Sequence, residues 1–122
     1  MKKILIVEDD EDLVEVVKLH LQEHGYETDY AYDGEAALKK IQQSPPDLII
    51  LDVMMPKLNG QLLAQQLKSN EKTKNIPIIA ISGKVGIKEV FLVDKQLIVS
   101  AFFYKPVLMS ELLKEIKRLL KE

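Results

Sequence analysis

The sequence contains no cysteine among its 122 residues. Disulfide bonds and thiolate metal sites are therefore excluded, and the redox state of the compartment stays open. The chain also has no excess of basic charge, since 17 basic and 19 acidic side chains give a formal net charge of −2. A global basic field that attracts nucleic acid is thus absent, and we expect no nucleic-acid binding by this domain.

Long apolar runs are missing as well. No run is long enough to span a membrane. The apolar residues 4–7 that follow Met1-Lys2-Lys3 are too few for a signal peptide, and acidic residues 8–10 come directly after them. We therefore expect a cytoplasmic protein with no membrane partner. The length suits one core, so we expect residues 1–122 to form a single domain.

The stretch that ends at Asp52 organises the rest of the chain. Four apolar residues, 48–51, are bounded by Ser44-Pro45-Pro46 before and by Pro56 after. A short apolar run between turn signals is typical of a strand buried on both faces, and such strands belong to parallel sheets covered by helices. Ligand sites in these sheets lie beyond the carboxyl ends of the strands, which is where Asp52 stands.

The remaining chain alternates strands with helices. The pattern predicts further strands at 4–7, 26–31, 76–81 and 101–104, and helices at 11–24, 35–43, 61–69, 87–99 and from 110 onward. These elements predict an α/β fold, a doubly wound, flavodoxin-like, five-stranded parallel sheet with helices on both faces. The expected strand order is 2-1-3-4-5, with the more polar second strand at an edge. The helix at 87–99 has helical apolar spacing, although 91–93 and 97–99 are apolar all round.

Polar side chains stand at the ends of four predicted strands. Glu8 and Asp9 follow the first strand, Asp52 the third, Ser82 the fourth and Lys105 the fifth. We expect these three carboxylates, one hydroxyl and one ammonium group to share a pocket at the rim of the sheet. Two carboxylates about 4 Å apart repel by roughly 4 kcal/mol at an effective dielectric of about 20, so a cation has to offset their charge.

Oxygen ligands with room for water suit Mg²⁺. The carboxylates of Asp9 and Asp52 and the backbone carbonyl of Met54 could hold this ion. An aspartate beside such an ion can attack phosphorus, and Asp52, at the centre of the set, is the predicted nucleophile. Lys105 would bind one phosphoryl oxygen as a point charge, and Ser82 would donate a hydrogen bond to another.

Four stretches of the sequence resemble the signature motifs of the receiver domain of two-component response regulators. In chain order they are residues 3–10, residues 47–60, Ile81-Ser82-Gly83 and Tyr104-Lys105-Pro106. The resemblance covers essentially the whole chain. It implies that Asp9 is a direct Mg²⁺ ligand and that Glu8 acts on the ion through water. It further implies that Asp52 is the phosphorylated aspartate.

The same resemblance implies a switch. A histidine kinase or histidine phosphotransfer protein would phosphorylate the domain, which assists its own phosphorylation and dephosphorylation but is no enzyme acting on a separate substrate. Ser82 would be the switch hydroxyl, Phe102 the switch aromatic and Lys105 the phosphate-binding lysine, with a cis Lys105–Pro106 bond. A downstream protein would contact the face formed by the fourth helix, fifth strand and last helix. Met54, two residues after Asp52, is apolar and cannot orient an attacking water molecule. We therefore predict that the aspartyl phosphate at Asp52 hydrolyses slowly.

Two alternatives remain open. A phosphohydrolase could use Asp52 as nucleophile, although haloacid-dehalogenase-like enzymes carry a second aspartate where this sequence has Met54. A flavodoxin-like cofactor binder, or a docking module, is the other alternative, although residues 8–10 would repel a flavin phosphate. The sequence ends just after the last helix, so we expect a stand-alone receiver or a piece of a longer regulator. His20 and His24 are interpreted as surface or boundary residues, since their neighbours offer no metal spacing.

Overall fold

The computed structural model describes residues 1–53, 55, 60–83, 92–93, 96–97 and 99–122. The helices and strands in this part of the chain follow in the order β1 Lys3–Val7, α1 Glu11–Glu23, β2 Glu27–Ala31, α2 Gly34–Gln43, β3 Leu48–Asp52, α3 Gly60–Ser69, β4 Ile78–Ser82, β5 Leu92–Val93, β6 Gln96–Leu97, β7 Ala101–Tyr104 and α4 Met109–Leu120. None of these helices is long and apolar enough to cross a membrane.

Five strands form one parallel sheet in the order β2-β1-β3-β4-β7, which confirms the predicted order 2-1-3-4-5. Every residue of β3 and β4 is buried, and this explains why both strands are apolar up to their last residues, Asp52 and Ser82. The β2 strand is half-exposed and lies at an edge, as its polarity predicts. Val7 pairs with Leu51 and Asp52 pairs with Ile81, so the carboxyl ends of the three central strands lie level.

Side-chain alternation along the strands produces a separate core on each face of the sheet. Leu5 and Val7 join the core that contains residues of α2 and α3, whereas Ile4 and Ile6 join the core beneath α1 and α4. Aspartates begin the first two helices. Asp10 accepts hydrogen bonds from two backbone N–H groups of α1, and the Asp33 side chain accepts one from α2.

The helix predicted at 87–99 is wrong where the structure describes this segment. Residues Leu92–Val93 and Gln96–Leu97 pair as antiparallel strands, with Leu92 opposite Leu97. An amphipathic helix needs a polar face, which these runs do not supply, and β-branched side chains such as Val93 favour strands. The described residues therefore hold four helices rather than five. Residues 87–91, 94–95 and 98 of the predicted helix lie outside the described part.

The last helix also begins differently from the prediction. It starts at Met109, one residue before the predicted Ser110, and the residue at its N-cap is Leu108. Leu108 makes no side-chain hydrogen bond to the helix end. The apolar residues of α4 pack against α1 and the sheet, so tertiary packing rather than a polar cap holds this helix in place.

Candidate functional site

The carboxyl ends of the strands place four polar side chains on one rim. Glu8 directly follows β1, Asp52 and Ser82 are the last residues of β3 and β4, and Lys105 directly follows β7. The side chains of Glu8, Asp52 and Ser82 are buried, with exposures of 4%, 5% and 0%. Burying charged groups is costly unless partners compensate them, so the partners define what this rim can do.

Lys105 supplies the compensating charge. Its Nζ atom donates to Oε1 of Glu8 at 2.8 Å and to Oδ2 of Asp52 at 3.1 Å. The backbone N–H of Asp10 donates to the other oxygen of Glu8, Oε2, at 3.2 Å. One ammonium group thus bridges two buried carboxylates, and Glu8 is fixed from both sides.

Asp9 completes an acidic cluster with Glu8 and Asp52. Their carboxylate oxygens lie within 4.8 Å of one another, and Asp9 is exposed. When all are ionised, three carboxylates against the single ammonium of Lys105 leave an excess of two negative charges. An all-oxygen donor set of this charge, open to water on one side, fits a hard divalent cation. The residues present could therefore hold a metal ion.

Burial perturbs the two groups that are paired most closely. Burial, followed by a hydrogen bond with Asp52, raises the pKa of Glu8 to about 7, although the hydrogen bond from Lys105 acts in the opposite direction. Burial alone would lower the pKa of Lys105, but its hydrogen bonds to both carboxylates outweigh burial and raise it. Lys105 therefore stays charged at neutral pH, whereas burial favours the protonated form of Glu8.

The loop after β7 positions Lys105. Its peptide bond to Pro106 is cis, as the sequence comparison with receiver motifs predicts. The backbone N–H of Lys105 donates to the carbonyl of Ser82 at 2.8 Å, which continues the β4–β7 pairing to the lysine itself. This bond brings the stem of Lys105 beside the end of β4.

The predicted switch aromatic lies at the edge of the sheet. Phe102 is half-buried, packs against the core on the α2–α3 face and contacts Tyr104 edge-on with ring centroids 5.2 Å apart. Ser82 is fully buried two strand positions away in the β4–β7 register, where Ala80 pairs with Phe102. Met54, the predicted carbonyl ligand, lies outside the described residues.

Two features of the site are not visible in the sequence. The first is the direct pairing of Lys105 with Glu8, which depends on the reach of two long side chains. The second is an apolar cavity of about 460 Å³ between α1 and α4. Its lining comes from distant parts of the chain: Leu13, Val17, Ile81, Gly83, Lys105, Pro106, Val107, Met109 and Leu112.

Comparison with known proteins gives a consistent result. A family model described as "Response regulator receiver domain" matches residues 4–117. The chain is 42% identical to "Response regulator ArlR" from Staphylococcus saprophyticus over 84 residues, which cover 69% of this chain and 37% of ArlR. It is 36% identical to "Transcriptional regulatory protein RprY" from Bacteroides fragilis over 119 residues, covering 98% of this chain and 49% of RprY. The chain thus spans less than half the length of these curated relatives.

Solved structures agree over the whole chain. A putative response regulator from Chloroflexus aurantiacus superposes with a TM-score of 0.88 at 30% identity, covering 99% of this chain and 98% of that one. The response regulator TrrA from Thermotoga maritima, in complex with Mg(2+)-BeF, gives a TM-score of 0.85 at 34% identity, with 98% and 99% covered. Together with the match over residues 4–117, these findings show that the chain belongs to the response regulator receiver domain family, a signalling domain of two-component systems.

Proposed function

We propose that Asp52 accepts a phosphoryl group from a histidine kinase or histidine phosphotransfer protein. The observation that carries this proposal is the contact between the Lys105 ammonium and the buried Asp52 carboxylate, inside a cluster of three carboxylates. Burying charge of this density costs folding free energy, and a role in binding a ligand explains why these side chains are charged. Membership of the receiver family makes a phosphoryl group the expected ligand.

The resident ion of the proposed site is Mg²⁺. Glu8, Asp9 and Asp52 would hold it, with the backbone carbonyl of Met54 as a further ligand. When bound, the ion supplies positive charge that neutralises the phosphoryl oxygens during transfer. Support comes from the all-oxygen cluster and from the relative TrrA, whose structure contains Mg(2+)-BeF.

The transfer itself is a substitution at phosphorus. An Oδ atom of Asp52 attacks in line, a P–O bond to Asp52 forms, and the P–N bond of the phosphohistidine donor breaks. The electron pair of the broken bond leaves with the donor imidazole. Nζ of Lys105 lies 3.1 Å from Oδ2 of Asp52 before the transfer. After the transfer it contacts a phosphoryl oxygen and loses part of its contact with Glu8.

The proposed response is a shift between two states. Ser82 moves toward the phosphoryl group and donates a hydrogen bond to it. Phe102 then moves into the space that the Ser82 side chain has vacated. The surface of β7 and α4 that a downstream protein contacts then changes. The equilibrium between the two states shifts by the difference in free energy of the phosphoryl contacts in each state. We further propose that residues 1–122 act as one receiver domain in the cytoplasm, and that the domain assists its own phosphorylation and dephosphorylation.

Intact-mass measurement tests the acceptor directly. Incubation with acetyl phosphate and Mg²⁺ should add the mass of one phosphoryl group to the wild type and nothing to Asp52→Asn. A matched control is Asp47→Asn, which removes a carboxylate at the other end of the same strand, where Asp47 accepts from the backbone N–H of Lys3 at 2.7 Å. This control should phosphorylate normally. An unmodified wild type, or a phosphorylated Asp52→Asn variant, would contradict the proposal.

A further inference from the structure

The last turn of α1 carries both histidines of the sequence. His20 lies within the helix and is half-buried, and His24 is the C-cap residue and is exposed. Residues four apart lie on the same side of a helix, about 5–6 Å apart at Cβ. This is the spacing at which helical histidine pairs bind zinc.

Hydrogen bonds fix the protonation of both rings. Nδ1 of His20 lies 3.3 Å from the carbonyl oxygen of Val16, and Nδ1 of His24 lies 2.9 Å from the carbonyl oxygen of His20. A carbonyl oxygen can only accept, so each Nδ1 must carry the hydrogen. In the neutral rings this leaves the lone pair on Nε2. Metal-binding histidines are commonly held in this way, with the second ring nitrogen bonded to a backbone carbonyl.

The electrostatic surroundings favour a cation at this end of α1. The aligned peptide dipoles of a helix give its carboxyl end a partial negative charge. Glu23 adds an exposed carboxylate between the histidines, and residues 20–24 include no lysine or arginine. A positive ion here meets attraction from the helix end and no basic side chain on the same turn.

We propose that His20 and His24 bind a divalent transition-metal ion, such as Zn²⁺, through their Nε2 atoms. Neutral imidazole suits Zn²⁺, Cu²⁺ and Ni²⁺, whereas Mg²⁺ prefers oxygen ligands. The two histidines supply two ligands, and water fills the other positions. The ion closes a ring over the last turn of α1, next to the corner where the Tyr26 N–H donates to the Leu21 carbonyl. Metal availability is thereby linked to the stability of this helix end.

The site is separate from the acidic cluster. Glu8 and Asp9 precede α1, and the histidines lie at its other end. With 13 residues and a rise of about 1.5 Å per residue, the helix separates the two sites by roughly 20 Å. The two sites also differ in ligand chemistry, so excess Mg²⁺ should occupy the oxygen site and leave the imidazole site free. The inference therefore does not depend on phosphoryl transfer.

Imidazole NMR provides the test. The full chain, with Asp9→Asn to weaken the acidic cluster, is titrated with Zn²⁺ in excess Mg²⁺ at a pH where ordinary histidine is neutral. Because the sequence has two histidines, two sets of ring signals are followed. We expect both Nε2 signals to shift together at one ion per chain, with the chain remaining monomeric. We also expect Zn²⁺ to raise the melting temperature, since it binds the folded helix.

Variants decide whether the histidines are the ligands. His20→Gln and His24→Gln should each lose at least about tenfold in Zn²⁺ affinity, as large as the loss from removing an outer partner of a metal ligand. Glu15→Gln, on the same helix, should bind like the parent, and circular dichroism checks that each variant folds. Binding that leaves the ring signals unchanged, survives either histidine substitution, or needs two chains per ion overturns the proposal. So does the absence of binding.

Discussion

The two ends of the central sheet treat charge in opposite ways. At the carboxyl ends, Glu8 and Asp52 are buried and share the ammonium of Lys105. At the amino ends, charged groups stay at the surface, where the Asp47 carboxylate accepts from the exposed backbone of Lys3. Both ends belong to the same strands and have the same apolar core beneath them.

The difference shows what packing alone would select. Exposed polar contacts at the amino ends contribute little and cost little. Buried carboxylates cost several kcal/mol each before any partner compensates them. A sequence selected only for folding would place apolar side chains at positions 8 and 52, as it does at neighbouring strand positions. The carboxyl ends of the strands are therefore less stable than they could be, because their side chains are suited to binding a ligand.

Removing Lys105 should have the largest effect on stability. Lys105→Met leaves Glu8 and Asp52 buried without their shared cation. We expect the metal-free variant to lose roughly 2–4 kcal/mol in its free energy of unfolding, somewhat less than a fully buried broken ion pair, because the Lys105 side chain is 31% exposed. Urea denaturation in a metal chelator measures this loss. Phosphorylation by acetyl phosphate should also fall sharply.

Two controls sharpen this result. Lys105→Arg keeps the charge and should recover most of the stability, although its fork cannot reproduce the point contact with a phosphoryl oxygen. Mg²⁺ should restore part of the stability of Lys105→Met, because a bound ion replaces the missing positive charge. A metal-free Lys105→Met variant as stable as the wild type would remove the distinction between the two ends.

Acid–base titration at Glu8 should have the next largest effect. Its pKa is raised from 4.5 to about 7 in the metal-free fold, so the folded state binds more protons than the unfolded state between these values. The stabilising contribution is complete below the lower value and is lost as pH rises through the upper one. We expect a loss of roughly 3 kcal/mol relative to Glu8→Gln, which has no such titration, because each pKa unit corresponds to about 1.4 kcal/mol.

Chemical denaturation of both proteins across this pH range, in chelator, measures the difference. Mg²⁺ should abolish it, because the ion favours the ionised carboxylate. Parallel stability curves for wild type and Glu8→Gln in chelator would show that Glu8 titrates as an ordinary surface group.

The fold was predictable where burial is complete. The sequences of β3 and β4 are apolar up to their polar last residues because helices cover both faces of the sheet, and the helices of the first half begin at aspartates. Within the predicted helix at 87–99, prediction failed at the described residues 92–93 and 96–97, where short apolar runs suit a helix and a strand equally. Whether such a run forms a helix or a strand depends on the segment that packs or pairs with it. Here Leu92 pairs with Leu97, and both runs form strands.

The candidate site was predictable to the level of the rim. Strand ends in a parallel sheet fix where Asp52 and Lys105 meet, whatever the details of the side chains. The pairing of Lys105 with Glu8 joins residues 97 positions apart and depends on the rotamers of both side chains. The ring orientation of His24 depends on its rotamer and on the carbonyl of His20, one helical turn earlier. The four-residue spacing of His20 and His24 is visible in the sequence, but the rotamers are not, and the sequence therefore suggested only surface or boundary histidines.

A smaller effect is expected where α4 meets the start of β2. The buried phenol of Tyr26 donates to Oε1 of Glu122 at 2.6 Å. Tyr26→Phe keeps the packing and removes this bond, so we expect a loss of about 1 kcal/mol by urea denaturation. Burial, together with Glu122, raises the pKa of Tyr26 from 10.0 to about 12, so its stabilising contribution disappears as pH rises through this range. Glu122→Gln retains an acceptor and should lose less.

The smallest effect should come from an exposed ion pair. Nζ of Lys40 lies 2.8 Å from Oδ1 of Asp29, with side-chain exposures of 38% and 33%. Burial raises the pKa of Asp29, but hydrogen bonds from Lys40 and the Tyr30 N–H outweigh it and lower the pKa, so the pair's contribution is lost on acidification. Lys40→Met should cost about 1 kcal/mol, and high salt should remove the share that comes from the ion pair, leaving the loss of the Lys40 contacts with Tyr30. The Lys105→Met loss should persist in high salt, because buried pairs are poorly screened. If salt reduces the stability loss of both variants equally, Lys105 is as well solvated as Lys40. The carboxyl ends of the strands would then not differ electrostatically from the rest of the protein surface.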